Sequence, residues 1–220
     1  MTITSCNNFV VESLNITHLK IARIHMASIL AILIKLVYLT PSLESVMTTF
    51  LLVNVNISGI TCGPGHDINI DRLGKKPKEN SVSGSFVSNS SLTNITNGVR
   101  IKTFHNSPKI QASNITFEDI TIKDVQNPII IDQHYRSKNT TNVSLAKISD
   151  VHYRNIRDSS VSNVAVTLNC SSSVPCEGME LIDIDIILNS NSLKKLLPLS
   201  SSYSFAKPVF KGKQNSPTCE

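Results

Sequence analysis

The chain has 220 residues, 40% of them apolar and 17% charged, enough for one sizeable folded domain and inconsistent with disorder throughout. Its net charge of +5 is spread along the chain, and aromatic residues are only 5%, so nucleic acid is not an expected partner. The five cysteines include no CxxC pair and fit no metal pattern, and no metal or other cofactor is expected.

Apolar positions are mostly Ile, Val and Leu, Trp is absent, and Ser, Thr and Asn are frequent, a composition that predicts an all-β protein with polar turns. In chain order, residues 1–17, MTITSCNNFVVESLNIT, read as one strand-bearing coil. The stretch 18–52 stands apart because it contains MASILAILIKLVYL, Met26 to Leu39. That run is short for a transmembrane helix and carries Lys35, so no membrane insertion is expected. As a signal peptide it is misplaced, with a strand-like segment before it and no clean cleavage site after it.

From 53 to 220 one unit recurs: a short β-branched strand, a polar turn, then another strand, as in VNVNISGITC, GVRIKTF, ASNITFEDITIKDV, NPIIID, AKISDVHYRNI, SNVAVTL and MELIDIDIIL. Such strands build either a sandwich or a parallel β-helix. The pairs Asn56-Ile57, Asn94-Ile95 and Asn114-Ile115 favour the helix, in which equivalent residues of successive coils stack and Asn side chains bond along turns. Eight Asn-x-Ser/Thr sequons, at Asn15, Asn56, Asn89, Asn94, Asn114, Asn139, Asn142 and Asn169, are compatible with a secreted glycoprotein. In that compartment Cys170 and Cys176 are spaced to close a small disulfide loop.

Four stretches together resemble the polygalacturonases, pectin-hydrolysing glycoside hydrolases. They are ISGITCGPGHDINIDRLGK (Ile57 to Lys75), NGVRIKTF, VQNPIIIDQHY, and the Cys170 to Cys176 loop with the late Cys219. The resemblance implies a right-handed parallel β-helix, incomplete at its N-terminus, secreted to the cell wall, monomeric, and acting without cofactor on α-1,4-galacturonan by inverting hydrolysis. It assigns His66 a place in the catalytic centre, where an imidazole tunes neighbouring carboxylates. It assigns Arg100, Lys102 and Tyr135 to substrate binding. Arg and Lys one residue apart on a strand share a face and suit a sugar carboxylate, and the tyrosine offers a ring and a hydroxyl. Cys62 looks like half of a further disulfide.

The chain departs from the family where chemistry is concentrated. Inverting hydrolysis requires an acid and a base carboxyl about 6.5–9.5 Å apart, and the family supplies them from Asn-Thr-Asp and Gly-Asp-Asp motifs that do not occur in this sequence. Asp67 stands where the family has a glycine after the histidine. A pectin-binding remnant without catalysis, or a pseudogene product, is therefore the alternative reading. Residues Lys20 to Phe50 also admit a frame-shifted origin, since an offset reading of Ser45-Val46-Met47-Thr48 permits Gly-Asp-Asp just before VNVNISGITC. A gene lacking GGTGATGAC or a near relative at that place would exclude this.

Overall fold

The computed structural model describes residues 2–4, 13–18, 53–65, 67–75, 79, 81–136, 143–189 and 198–215. Among them fourteen strands follow in order: β1 (Thr2–Thr4), β2 (Ser13–His18), β3 (Val53–Ser58), β4 (Thr61–Cys62), β5 (Asp67–Leu73), β6 (Val82–Thr93), β7 (Asn97–Phe104), β8 (Ile110–Val125), β9 (Asn127–Tyr135), β10 (Ala146–Ser160), β11 (Val164–Asn169), β12 (Glu177–Leu188), β13 (Ser200–Ser204) and β14 (Val209–Gln214). From β5 onward the chain alternates between two sheets. The first contains β5, β7, β9, β11 and β13; the second contains β3, β6, β8, β10, β12 and β14, with β4 also against β6. All these neighbours pair in parallel. Parallel neighbours need a crossover between them, and each crossover passes through the opposite sheet. The chain is a parallel β-helix, the all-β architecture that its strand pattern predicts.

The interior is built from aliphatic rows that run from coil to coil. On the first sheet Ile68, Val99, Ile129 and Val166 lie in register, as do Ile70, Ile101, Ile131 and Leu168, and all are buried. The second sheet contributes Ile115, Val151 and Met179 in one row and Ile120, Ile156 and Ile184 in another. Each such side chain contributes about 1.5–3 kcal/mol on burial. Between these two rows, Phe117 and Tyr153 stack with ring centroids 5.5 Å apart and planes 8° off parallel. The Tyr153 hydroxyl is fully buried without a hydrogen-bond partner, and burial pushes its ionisation far above the ordinary phenol range.

The long strands of the second sheet are bent at single residues with left-handed backbone. Asn114, Asp119 and Asp124 on β8 have φ of 52°, 54° and 56°. In register with Asn114 stand Gly84, Asp150 and Gly178, and in register with Asp119 stand Asn89, Asn155 and Asp183, every one at positive φ. Asn, Asp and Gly tolerate this region because short polar or absent side chains relieve the clash. The ladder is also bonded sideways: Asn155 Nδ2 donates to Asp119 Oδ1 at 2.6 Å. Asn94 and Asn114 are such corners, whereas Asn56 is an exposed residue within β3 and the nearby left-handed position is Gly59.

Both sheets end in a reversal. β1 runs antiparallel to β5, and β2 runs antiparallel to β3. Within the stretch 1–17, expected to form a partial β-helix coil, the described residues lie in these two antiparallel strands. Antiparallel strands also pair the backbone donors and acceptors of a sheet edge, which would otherwise be left open. Residues 19–52, and with them the apolar run and the frame-shift reading, lie outside the described residues.

Candidate functional site

β7 alternates strictly enough to separate its roles. Val99 and Ile101 point into the helix and are fully buried, so Arg100 and Lys102 share the outer face of the first sheet. Next to them β9 carries Asp132, in register with Lys102, and ends in Tyr135. The Arg100 guanidinium carbon lies 5.5 Å and the Lys102 ammonium 4.7 Å from the Tyr135 ring centroid. Arg136 brings a third cation to 5.6 Å. Arg100 Nη2 is 3.4 Å from Asp132 Oδ2, and the backbone of His134 donates to the other oxygen of Asp132 at 3.0 Å. Phe104 meets Tyr135 edge to face, with centroids 5.6 Å apart.

These cations are held against solvent. Lys102 is 8% exposed and the Arg100 side chain 12%. Withdrawing a charge from water is costly unless other groups replace the lost hydration, and the π face of Tyr135 is one such group. The three residues singled out on the first sheet, Arg100, Lys102 and Tyr135, are therefore brought together in one cluster.

A buried polar network lies behind the cluster. Gln133, fully buried, donates from Nε2 to the Ala146 carbonyl at 2.6 Å and accepts from the Ser171 backbone at 2.8 Å. Ser171 Oγ donates to the Ser144 carbonyl at 2.9 Å, and the Ser144 hydroxyl is 2.9 Å from Thr103 Oγ1. Cys170 and Cys176 form a disulfide beside this network. Successive coils are thereby tied together directly beneath the cations. Cys62 also enters a disulfide.

His66 lies outside the described residues, so its relation to the cluster is not part of the described geometry. Its neighbours are placed: Gly65 bridges to Ile95, and Asp67 opens β5, where Asn69 is in register with Arg100. Gly63 has φ of 149°, and a β-carbon there would collide with the Thr93 carbonyl. Sequence reasoning missed Asn69, which is fully buried with both amide atoms unpaired. The available signal was a polar residue between two interior isoleucines on the strand beside Arg-x-Lys. Asp132, Arg136 and Gln133 were also missed. Among the described residues no group of His, Cys, Asp and Glu could hold a metal ion, and no helix is long and apolar enough to cross a membrane.

Fold and cluster define a parallel β-helix with a cationic, aromatic strip on one sheet. The family model described as glycosyl hydrolases family 28 matches residues 1–201, and the chain belongs to that family. It is 45% identical over 166 residues to a polygalacturonase of Nicotiana tabacum, covering 74% of this chain and 41% of that protein. It is 44% identical over 169 residues to an exopolygalacturonase of Oenothera organensis, covering 76% of this chain and 46% of that protein. The chain thus spans less than half the length of these curated relatives.

Proposed function

We propose that the chain is a polygalacturonase-type glycoside hydrolase acting on α-1,4-galacturonan by inverting hydrolysis, and that it holds the polymer on the Arg100, Lys102 and Tyr135 cluster. The observation that carries this reading is the convergence of two poorly exposed cations on one tyrosine ring, at 5.5 and 4.7 Å, within a chain of family 28. A guanidinium offers paired donors to a sugar carboxylate and an ammonium adds a point charge. The ring edge and hydroxyl of Tyr135 then orient the sugar. His66 belongs to the proposed catalytic centre by its place in the family's Gly-His-Gly segment; inverting hydrolysis there also needs one carboxyl group to protonate the leaving oxygen and another to activate water on the opposite face.

The absence of the Asn-Thr-Asp and Gly-Asp-Asp motifs from the sequence favours a second reading, galacturonan binding without cleavage. One experiment separates them. The purified chain is incubated with polygalacturonate, and both retention on the polymer and new reducing ends are measured. New reducing ends that disappear in Arg100→Ala/Lys102→Ala support the hydrolase; retention without reducing ends supports the binding protein; neither result overturns both. Secretion to the cell wall as a monomer is part of the proposal. It is supported by the disulfide, a bond that persists in oxidising compartments, and by the exposure of the sequon residues Asn89, Asn94 and Asn114 at coil corners.

A further inference from the structure

Among the described residues, most non-glycine positions with left-handed backbone are Asn or Asp; the exceptions are Arg136 at φ 60° and Phe205 at φ 51°. Both directly follow a strand of the first sheet, Arg136 after β9 and Phe205 after β13. A bulky residue in this region is an outlier that the surrounding structure must hold in place, and such residues cluster at functional sites. The restraint on Phe205 is visible: its carbonyl accepts from the Cys176 backbone at 3.0 Å, Ala206 bridges to Cys176, and Cys176 is tied to Cys170.

The left-handed turn changes where the ring goes. On β13 Tyr203 packs against the core, and Ser204 is in register with Asn169, which is in register with Asp132 and through it with Lys102. Strand alternation would turn the residue after Ser204 inward, as it does Cys170 after Asn169, which is fully buried. Phe205 is instead 57% exposed. It stands three strand steps from Lys102 along the sheet, about 14 Å at the usual strand spacing. Lys207, also exposed, follows in the same turn.

We propose that Phe205 is a stacking platform for a sugar ring at a distal subsite of the strip that begins at Arg100 and Lys102, with Lys207 serving the uronic carboxylate there. An exposed aromatic ring binds the apolar face of a pyranose, and a cation beside it selects an acidic sugar. This rests on the galacturonan reading above and adds a dependence on chain length: short oligomers engage the cation cluster alone, and longer ones reach Phe205 as well.

The chain contains no tryptophan, so Phe205→Trp introduces a single reporter. Oligogalacturonates of increasing length are titrated against the wild-type chain, Phe205→Trp and Phe205→Gly. The expected result is the emission of an exposed indole without sugar, a shift or quench that only long oligomers produce, and about tenfold weaker binding of long oligomers by Phe205→Gly with short ones unaffected. Phe205→Gly should also raise the unfolding midpoint, since glycine relieves the backbone. Equal affinity of Phe205→Gly and wild type for long oligomers overturns the distal subsite and leaves the galacturonan reading intact. A buried indole spectrum before sugar is added also overturns it. Wild-type chain that binds no oligomer overturns both.

Discussion

The outer faces of the two sheets both carry charge, and they handle it differently. On the second sheet Glu180 accepts from Lys211 Nζ at 2.8 Å and lies 2.7 Å from His152 Nδ1, while the other His152 nitrogen is 2.9 Å from Asp150. Lys213 adds a pair with Asp185 at 2.6 Å. These lysine side chains are 56% and 61% exposed, and exposed pairs of this kind stabilise a fold by about 0–1 kcal/mol each. On the first sheet Lys102 is 8% exposed and its ammonium faces an aromatic ring. The first arrangement pairs exposed opposite charges, and the second sets poorly exposed cations against an aromatic ring, the contrast on which the proposed hold on an anionic polymer rests.

The comparison is broken most directly at the cations. Arg100→Ala/Lys102→Ala is expected to weaken retention on polygalacturonate by about a hundredfold or more, while Lys211→Ala/Lys213→Ala leaves it unchanged, as measured by co-sedimentation with the polymer. The scaffold beneath the cations is the next target. A β-carbon at Gly98 would collide with the Pro128 carbonyl on the neighbouring coil, so Gly98→Ala should lower stability by about 1–3 kcal/mol in denaturant unfolding. In the shared interior the expected sign reverses. Tyr153→Phe removes a buried hydroxyl that has no partner and keeps the stack on Phe117, so a gain of about 1 kcal/mol is expected in the same measurement.

The smallest effect belongs to the ion pairs of the second sheet. The hydrogen bond from Lys211, then that from His152, holds Glu180 down at about 2. A depressed carboxylate contributes stability above its ordinary value of 4.5, and that contribution is lost as pH falls through about 2. Glu180→Gln should therefore flatten the loss of stability across this interval relative to wild type, followed by denaturant unfolding at a series of pH values.

Alternation made the cluster partly legible. Arg100 and Lys102 share a face because the side-chain period of a strand is two, and NPIIIDQHY announced a strand ending at Tyr135. The same rule concealed Gln133, whose position looks like one more interior aliphatic but carries the amide that joins three segments. The corners were only half visible. Asn94-Ile95 and Asn114-Ile115 mark real bends, but Asp119, Asp124 and Asn155 lie inside what reads as continuous strand. Neighbouring coils keep their parallel hydrogen bonds through a single left-handed residue, so no break in the hydrophobic pattern betrays it. The exposure of Phe205 was not legible either, because strand alternation alone places the residue after Ser204 inward.

The ladder of left-handed corners also acts as a ruler for mutation. Because Asn89, Asp119, Asn155 and Asp183 occupy one level, losing or gaining one residue within a strand between corners would put a β-branched residue where a left-handed one is required and turn its interior side chains outward. Length changes are therefore expected to be tolerated between strands and resisted within them. A scan of single-residue insertions along the chain would be read as alternating permissive and forbidden zones, with the forbidden zones marking the coils.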